Sequence, residues 1–316
     1  MASYSLVTFE VSGVPRPGLR IGDDILALDA RLGSRLPGVD TGSVIGLLES
    51  WSTVEPVLDE LAGAHTGDDP EAYQVGSVTL LPPVRWPRAI FCASANYNDH
   101  VQEWTGSGLP DKATTRPCFF FKAPHHTLVG PDDVVHLPRP DAKMFNEIEL
   151  AVIIGRRTRL VSEASAMDSV AGYAIFNDVS DYSQSQRKDW YGQRFGMADW
   201  MRIKSFDNSS VLGPDLVPAS QVEDPYKLAM NLYVNDELVQ ESSTELMHYS
   251  IAEQISYLSE QLTLLPGDVV STGSIRGIGA VKGVFLNVGD RVRAEIDGLG
   301  AQHNVIGAPP AADAGE

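Results

Sequence analysis

Glu147 and Glu149 stand two residues apart in Phe145-Asn146-Glu147-Ile148-Glu149-Leu150-Ala151-Val152-Ile153-Ile154-Gly155, an alternating, β-branched stretch that reads as one strand. On a strand they share a face, while Ile148, Leu150, Val152 and Ile154 form the opposite, core face. Two like charges on a largely buried strand repel and lose hydration unless a proton or a cation compensates them. A hard divalent metal is the natural compensator; the alternative is a solvated strand face that carries two glutamates by chance. Asp178 closes a second apolar stretch, Tyr173-Ala174-Ile175-Phe176-Asn177-Asp178. It either completes a facial oxygen site with positions open for substrate and water, or forms a turn with Asn177.

Other residues suggest proton chemistry and ligand contact. In Tyr97-Asn98-Asp99-His100-Val101-Gln102-Glu103-Trp104 a helical turn puts His100 and Glu103 at i,i+3, where a carboxylate orients an imidazole as a general base; the plainer reading is an incidental surface pair. Lys204 reads as a substrate-facing cation or as an exposed lysine. The segment from Thr272, Gly273 and Ser274 to Gly279 is a strand exit into a glycine-rich loop that permits close backbone approach to a ligand. It lacks the GKS or GKT and the ordered βαβ surroundings of a nucleotide site. The adjacent His125 and His126 face opposite ways in an extended chain, which argues for a turn surface.

The elements that must position these residues are mostly strands. Residues 4–28 read as a β-meander. Ser52 and Glu55 are spaced as a capping box for a helix ending at Gly63, and Ser250 and Glu253 as a second box for a core helix. Asn235-Asp236 and Asp297-Gly298 mark hairpin turns. The polar, glycine-containing residues 106–115 have the composition of a lid. Proline-rich punctuation from Pro82 to Pro87 suggests a seam, dividing the chain into a small domain at 1–80, a catalytic domain at 81–306 and a disordered tail at 307–316. The fold class expected is mainly β with a few helices, α+β.

Composition narrows the function classes. Across 316 residues, 24 lysines and arginines face 42 acidic residues, a formal charge of -18 that opposes nucleic acid and anionic membranes. Cys92 and Cys118, each in an apolar run, suit a reducing cytoplasm, and neither an export signal nor a membrane-spanning stretch is read.

Taken together, Asn96 to Glu103, Glu147-Ile148-Glu149, Asn177-Asp178-Val179-Ser180, Lys204-Ser205-Phe206-Asp207, Leu212-Gly213-Pro214, Pro266-Gly267-Asp268 and Thr272-Gly273-Ser274 resemble the fumarylacetoacetate hydrolase (FAH) family in order and spacing, from about Leu80 to Ile306. The resemblance implies a rolled and layered mixed-sheet catalytic domain with a smaller N-terminal domain, commonly dimeric. It implies that Glu147, Glu149 and Asp178 hold Mg²⁺ or Mn²⁺, with Ca²⁺ a stand-in in crystals. His100, Glu103 and Lys204 become the catalytic group, and Tyr97, Thr272, Gly273 and Ser274 the substrate-binding group. The expected substrate is a small 2-oxo or diketo acid of the kind met in aromatic catabolism, cleaved at a carbon–carbon bond through a metal-stabilised enolate. Decarboxylation, hydration, isomerisation or a silent metal-binding scaffold are the alternatives. Two departures stand out: Tyr182 occupies the usual arginine position, with the following glutamine register open, and Ser274-Ile275-Arg276 replaces the family's Thr-Pro loop.

Overall fold

A computed structural model describes residues 3–184 and 199–311. Mostly sheet with scattered helices, it is α+β. Among the described residues the strands form one 12-stranded sheet, one five-stranded sheet and a two-stranded ribbon. The largest sheet runs from the N-terminal strands Asp24–Ala27, Val14–Ile21 and Ser5–Val11 into Ser210–Pro218, Val170–Asp178, Ile148–Ile154, Val269–Ser271, Ile90–Ala93 and Phe119–Lys122. The N-terminal meander joins it where Leu6 pairs with Leu216, and Thr79–Leu81 returns to pair with Ser5–Val11.

The central strands are buried along their whole length because both their faces are covered. Ile148, Leu150, Val152 and Ile154 pack toward Met230, Leu232, Val292, Ala294 and Ile296 of the five-stranded sheet and toward Ile251 and Ile255 of helix Ile251–Gln261. On the opposite face Ala151, Ile153, Phe176 and Leu212 meet Leu47, Leu48, Val54 and Leu58 from the N-terminal helices. Helices, central sheet and second sheet therefore form three layers, and Glu149 shares its face with core residues rather than with water. Gln302 ties the two sheets together, its side-chain amide donating to Ile175 O at 2.9 Å and Gly213 O at 3.0 Å.

Several local expectations are met. Asn235 and Asp236 adopt φ of 51° and 69° between strands Ala229–Val234 and Glu237–Ser243. The Ser250–Glu253 capping box forms with both of its hydrogen bonds. Two are corrected. The helix expected to begin at Ser52 is Trp51–Ala64, with Ser50 as its N-cap and no side-chain cap, so the Ser52–Glu55 box lies inside the first turn and does not form. The single strand expected over 145–155 is two: Met144–Phe145 pairs with Ser180–Asp181, and Ile148–Ile154 enters the central sheet. Between them the Asn177 side chain accepts from Glu147 N at 3.0 Å, taking the place of a ladder bond. The last strand, Gly300–Gly307, is followed by Ala308, whose carbonyl lies 2.7 Å from His136 Nδ1; residues 312–316 of the expected tail lie outside the described residues. No described helix is long and apolar enough to cross a membrane.

Candidate active site

Asp178 ends the strand antiparallel to the Glu149 strand, which brings three carboxylates to one end of the central sheet. One oxygen each from Glu147, Glu149 and Asp178 lie within 4.8 Å of one another, and all three residues are buried. Two lysines meet them. Lys204 Nζ, from the short helix Trp200–Lys204, is 2.7 Å from both Glu147 Oε2 and Asp178 Oδ2. Lys122 Nζ, at the end of strand Phe119–Lys122, is 2.5 Å from Asp178 Oδ1 and 3.2 Å from Val179 O. Among the described residues Glu149 has no cation of its own. Its Oε2 accepts from Ser271 Oγ at 2.5 Å and from Gly273 N at 2.9 Å. Gly273 is required there: its φ is 101°, and a Cβ would come within 2.9 Å of Asn96 Cβ.

The protonation balance shows what the cluster lacks. Burial, then the charges of Asp178 and Glu147, push Glu149 well above the ordinary carboxylate range, and burial raises Glu147 against the pull of Lys204. Burial lowers Lys122, with Asp178 restoring part of its basicity. For Lys204 burial also acts downward, but Asp178 and Glu147 outweigh it and hold the ammonium protonated. Were all three carboxylates ionised, the two ammoniums would leave one negative charge uncompensated, and without a cation a proton held on Glu149 offsets it. A hard dication fits both that deficit and the all-oxygen donor set.

Beside the carboxylates lies a cleft of about 330 Å³ lined by His100, Glu147 and Lys204, with Ser94, Phe145, Trp104, Tyr182, Trp200 and Ile278 among its other walls. His100 rides on helix Asn98–Thr105, which ends at Gly106 with φ 76°. Burial, then the Lys204 charge, lower its pKa and keep the imidazole neutral at neutral pH; its Nδ1 is buried with no hydrogen-bond partner. His100 and Glu103 share the helix but no hydrogen bond. Glu103 Oε2 instead accepts from Gly277 N at 2.6 Å, while Asp99 Oδ2 accepts from Ser242 Oγ at 2.5 Å, so the two acids pin the helix to the rest of the domain. Gly277 has φ 94°, and a Cβ there would strike Val239 O at 2.3 Å.

The expected substrate-contacting residues Tyr97, Thr272, Gly273 and Ser274 are not among its walls. Tyr97 is fully buried in the core, its hydroxyl 3.5 Å from Thr272 Oγ1. Thr272 donates from both N and Oγ1 to Leu150 O at 3.0 Å, and Ser274 Oγ accepts from Gln240 Nε2 at 3.3 Å. His125 and His126 are exposed, with His125 stacked on Trp86 at 4.9 Å.

The Fumarylacetoacetate (FAA) hydrolase C-terminal family matches residues 89–307. The chain belongs to this family. Among FAA hydrolase relatives it is 37% identical to human mitochondrial oxaloacetate tautomerase FAHD2B over 231 residues, 72% of this chain and 69% of that protein. It is 36% identical to the 2,4-didehydro-3-deoxy-L-rhamnonate hydrolase of Sphingomonas sp. (strain SKA58) over 287 residues, 87% of this chain and 93% of the relative. The crystal structure of maleylpyruvate hydrolase from Sphingobium sp. SYK-6 in complex with manganese(II) ion and pyruvate matches with TM-score 0.73 and 28% identity, covering 97% of this chain and all of that one.

Against the FAA hydrolase pattern, Tyr182 is found in the cleft wall, while residues 185–198, with part of the open glutamine register, lie outside the described residues. Two participants were not read from the sequence. Lys122 gave no local signal, since a lysine ending an apolar strand is ordinarily exposed. Asn96 clamps the loop from beneath, donating to Thr272 O at 2.8 Å and Tyr249 O at 3.0 Å and accepting from Tyr249 N at 2.7 Å. Its one signal was its place in the Asn96-to-Glu103 motif.

Proposed function

We propose that this chain is a divalent-metal-dependent hydrolase that cleaves a carbon–carbon bond in an acylpyruvate-like or diketo acid. The observation that carries the reading is the buried cluster of three carboxylates and two lysines, opening on a cleft that His100 also lines. Glu147, Glu149 and Asp178 would hold Mg²⁺ or Mn²⁺, which when bound supplies orientation of the 2-oxo acid and polarisation of its carbonyl. The remaining work falls to the chain. His100 takes a proton from water as the water adds to the distal carbonyl. Lys204, held protonated, offsets negative charge at the Glu147 side of the cleft. Glu103 keeps the His100 helix seated against the loop at Gly277.

The relatives support this reading: one is named a hydrolase, and the Sphingobium hydrolase was crystallised with manganese and pyruvate, a 2-oxo acid. A second reading is favoured by the tautomerase name of the human relative, since a neutral His100 also suits moving a proton between carbon and oxygen without cleavage. Incubating metal-loaded protein with acylpyruvates and with oxaloacetate, following enol absorbance and separating the products, decides between them. Release of pyruvate and a carboxylic acid supports hydrolysis; equilibration of oxaloacetate tautomers with acylpyruvates left intact replaces it with tautomerisation.

A homodimer belongs to the same reading. Val134 and Val305, exposed and directly paired on adjacent strands, support such a face, and a monomeric mass by light scattering across a wide concentration range counts against it. Free Cys92 and Cys118 support a reducing compartment such as the cytoplasm.

A further inference from the structure

We infer that the substrate's far end is a flat apolar group, an aryl ring by preference, rather than a second carboxylate; this rests on the reading that a 2-oxo acid is held beside the carboxylate cluster. From Glu147 and Lys204 the cleft leads outward past Trp104, Tyr182 and Trp200. Trp104 and Trp200 are 50% and 41% exposed, unusual for side chains that gain so much from burial. Each ring is braced. Tyr182 meets Trp104 edge-on at 6.3 Å and stacks on Phe285 at 6.1 Å, while Trp200 lies on Phe120 at 4.9 Å with only 8° between planes. Rings held in this way lose little side-chain freedom on meeting a ligand, so the mouth is prepared for an apolar surface.

Charge points the same way. With a dication added, the cluster of Glu147, Glu149, Asp178, Lys122 and Lys204 carries one net positive charge, which one ligand carboxylate neutralises. Among the described residues lining the cleft, Lys204 is the one lysine or arginine, and it is already engaged by Glu147 and Asp178. A second ligand carboxylate at the mouth would lose water against aromatic rings, with no fixed cation among the described lining residues to receive it. An aryl tail would lose none of that hydration and would cover the two tryptophans.

The reaction balances without a further reagent. Water adds to the aroyl carbonyl, its proton passing to His100, and the bond between that carbon and the methylene breaks. The electron pair left on the methylene takes up a proton. Aroylpyruvate and water thus give an arenecarboxylate, pyruvate and one proton.

The test uses the full chain loaded with Mn²⁺ and measures affinity apart from turnover. Oxalate, which has the chelating core and no tail, is bound first. Benzoylpyruvate, acetylpyruvate and succinylpyruvate are then titrated against it by displacement, with tryptophan fluorescence as a second signal from the mouth. Benzoylpyruvate is expected to bind at least ~10-fold more tightly than succinylpyruvate. In Trp104→Ala that ratio falls by at least ~5-fold, and in Tyr182→Arg the preference moves toward succinylpyruvate. Equal or tighter binding of succinylpyruvate by the parent, or an unchanged ratio in both variants, overturns the inference while leaving the metal-dependent reading intact. Failure of oxalate to bind with metal overturns that reading and this inference with it. Turnover of benzoylpyruvate to benzoate and pyruvate supports both.

Discussion

The carboxylate centre and the mouth of the cleft lie side by side but are built on opposite principles. In the centre every charged group is buried and held from several directions: Asp178 between two ammoniums, Glu149 by a hydroxyl and a backbone N–H, Glu147 by Lys204 and, through its backbone, by Asn177. At the mouth the rings of Trp104 and Trp200 face solvent and are supported by stacking instead of hydrogen bonds. The difference separates two tasks. A centre locked by strands and buried ions performs one type of chemistry, whereas a mouth of braced side chains is free to change the substrate without disturbing it.

The largest effect is expected where the centre loses a ligand. Glu149→Ala or Asp178→Ala should abolish binding of Mg²⁺ or Mn²⁺ by calorimetry together with metal-dependent turnover. Either variant binding metal like the parent would show that the cluster is an ion-pair network and not a metal site. Next in size is Lys122→Met, which leaves Asp178 Oδ1 without its buried partner; loss of one member of such a pair costs roughly 3–5 kcal/mol of stability in denaturant titration. A loss within experimental error would mean that the centre is less rigid than its geometry implies, and the contrast with the mouth would weaken.

The two acids and the histidine of the short helix test where the centre ends and the mouth begins. His100→Ala should lower hydrolysis by ~10²-fold, the usual range for loss of a general base, while metal and oxalate still bind. Unchanged turnover removes His100 from the mechanism. Glu103 has a different duty in the structure, docking the helix at Gly277, so the chemistry of its replacement matters. Glu103→Ala leaves that N–H unpaired and should cost ~10-fold in kcat/KM, whereas Glu103→Gln retains an acceptor and should keep most of the activity. Equal losses in the two variants would restore the charge-dependent His100–Glu103 pair.

These assignments also show what the sequence made legible. The carboxylate pair was readable because strand alternation is local, and the hairpin at Asn235-Asp236 because turn residues act within a few positions. The break before Ile148 was not, since it depends on Asn177, 30 residues distant. Glu103 shows the same limit: spacing on the helix offered His100, whereas the hydrogen bond it accepts comes from Gly277, 174 residues away. Lys122 follows an apolar run and looks like a strand-end lysine until Asp178 is brought to it. Asn96 and Gly273 gave a motif and a loop, but the clamp of Asn96 on Thr272 and the bond from Gly273 to Glu149 exist only once the strands are paired. Family resemblance supplied the missing long-range information for the triad, while Tyr182, which departs from the family, is placed in the cleft wall by the structure alone.

Asp268 offers the control for the centre, a buried carboxylate with no ammonium in contact among the described residues. Its Oδ2 accepts from Leu265 N at 2.7 Å and its Oδ1 is buried without a partner. Burial raises its pKa to about 6, with the Leu265 and Ala89 backbone groups and the Arg88 charge pulling the other way. The unfolded chain releases this proton near the ordinary aspartate value, about 3.9, so between that pH and about 6 the folded protein binds the extra proton. Stability therefore falls as pH rises through that window and is level above it. Asp268→Asn removes the titration and keeps an oxygen for Leu265 N. Its stability relative to the parent should rise by roughly 2 kcal/mol from pH 4 to pH 6.5 and then stay constant, as read from denaturant midpoints in metal-free buffer. A difference that does not change with pH would place Asp268 in contact with a cation after all, and would make the three-carboxylate centre less distinctive than its two lysines suggest.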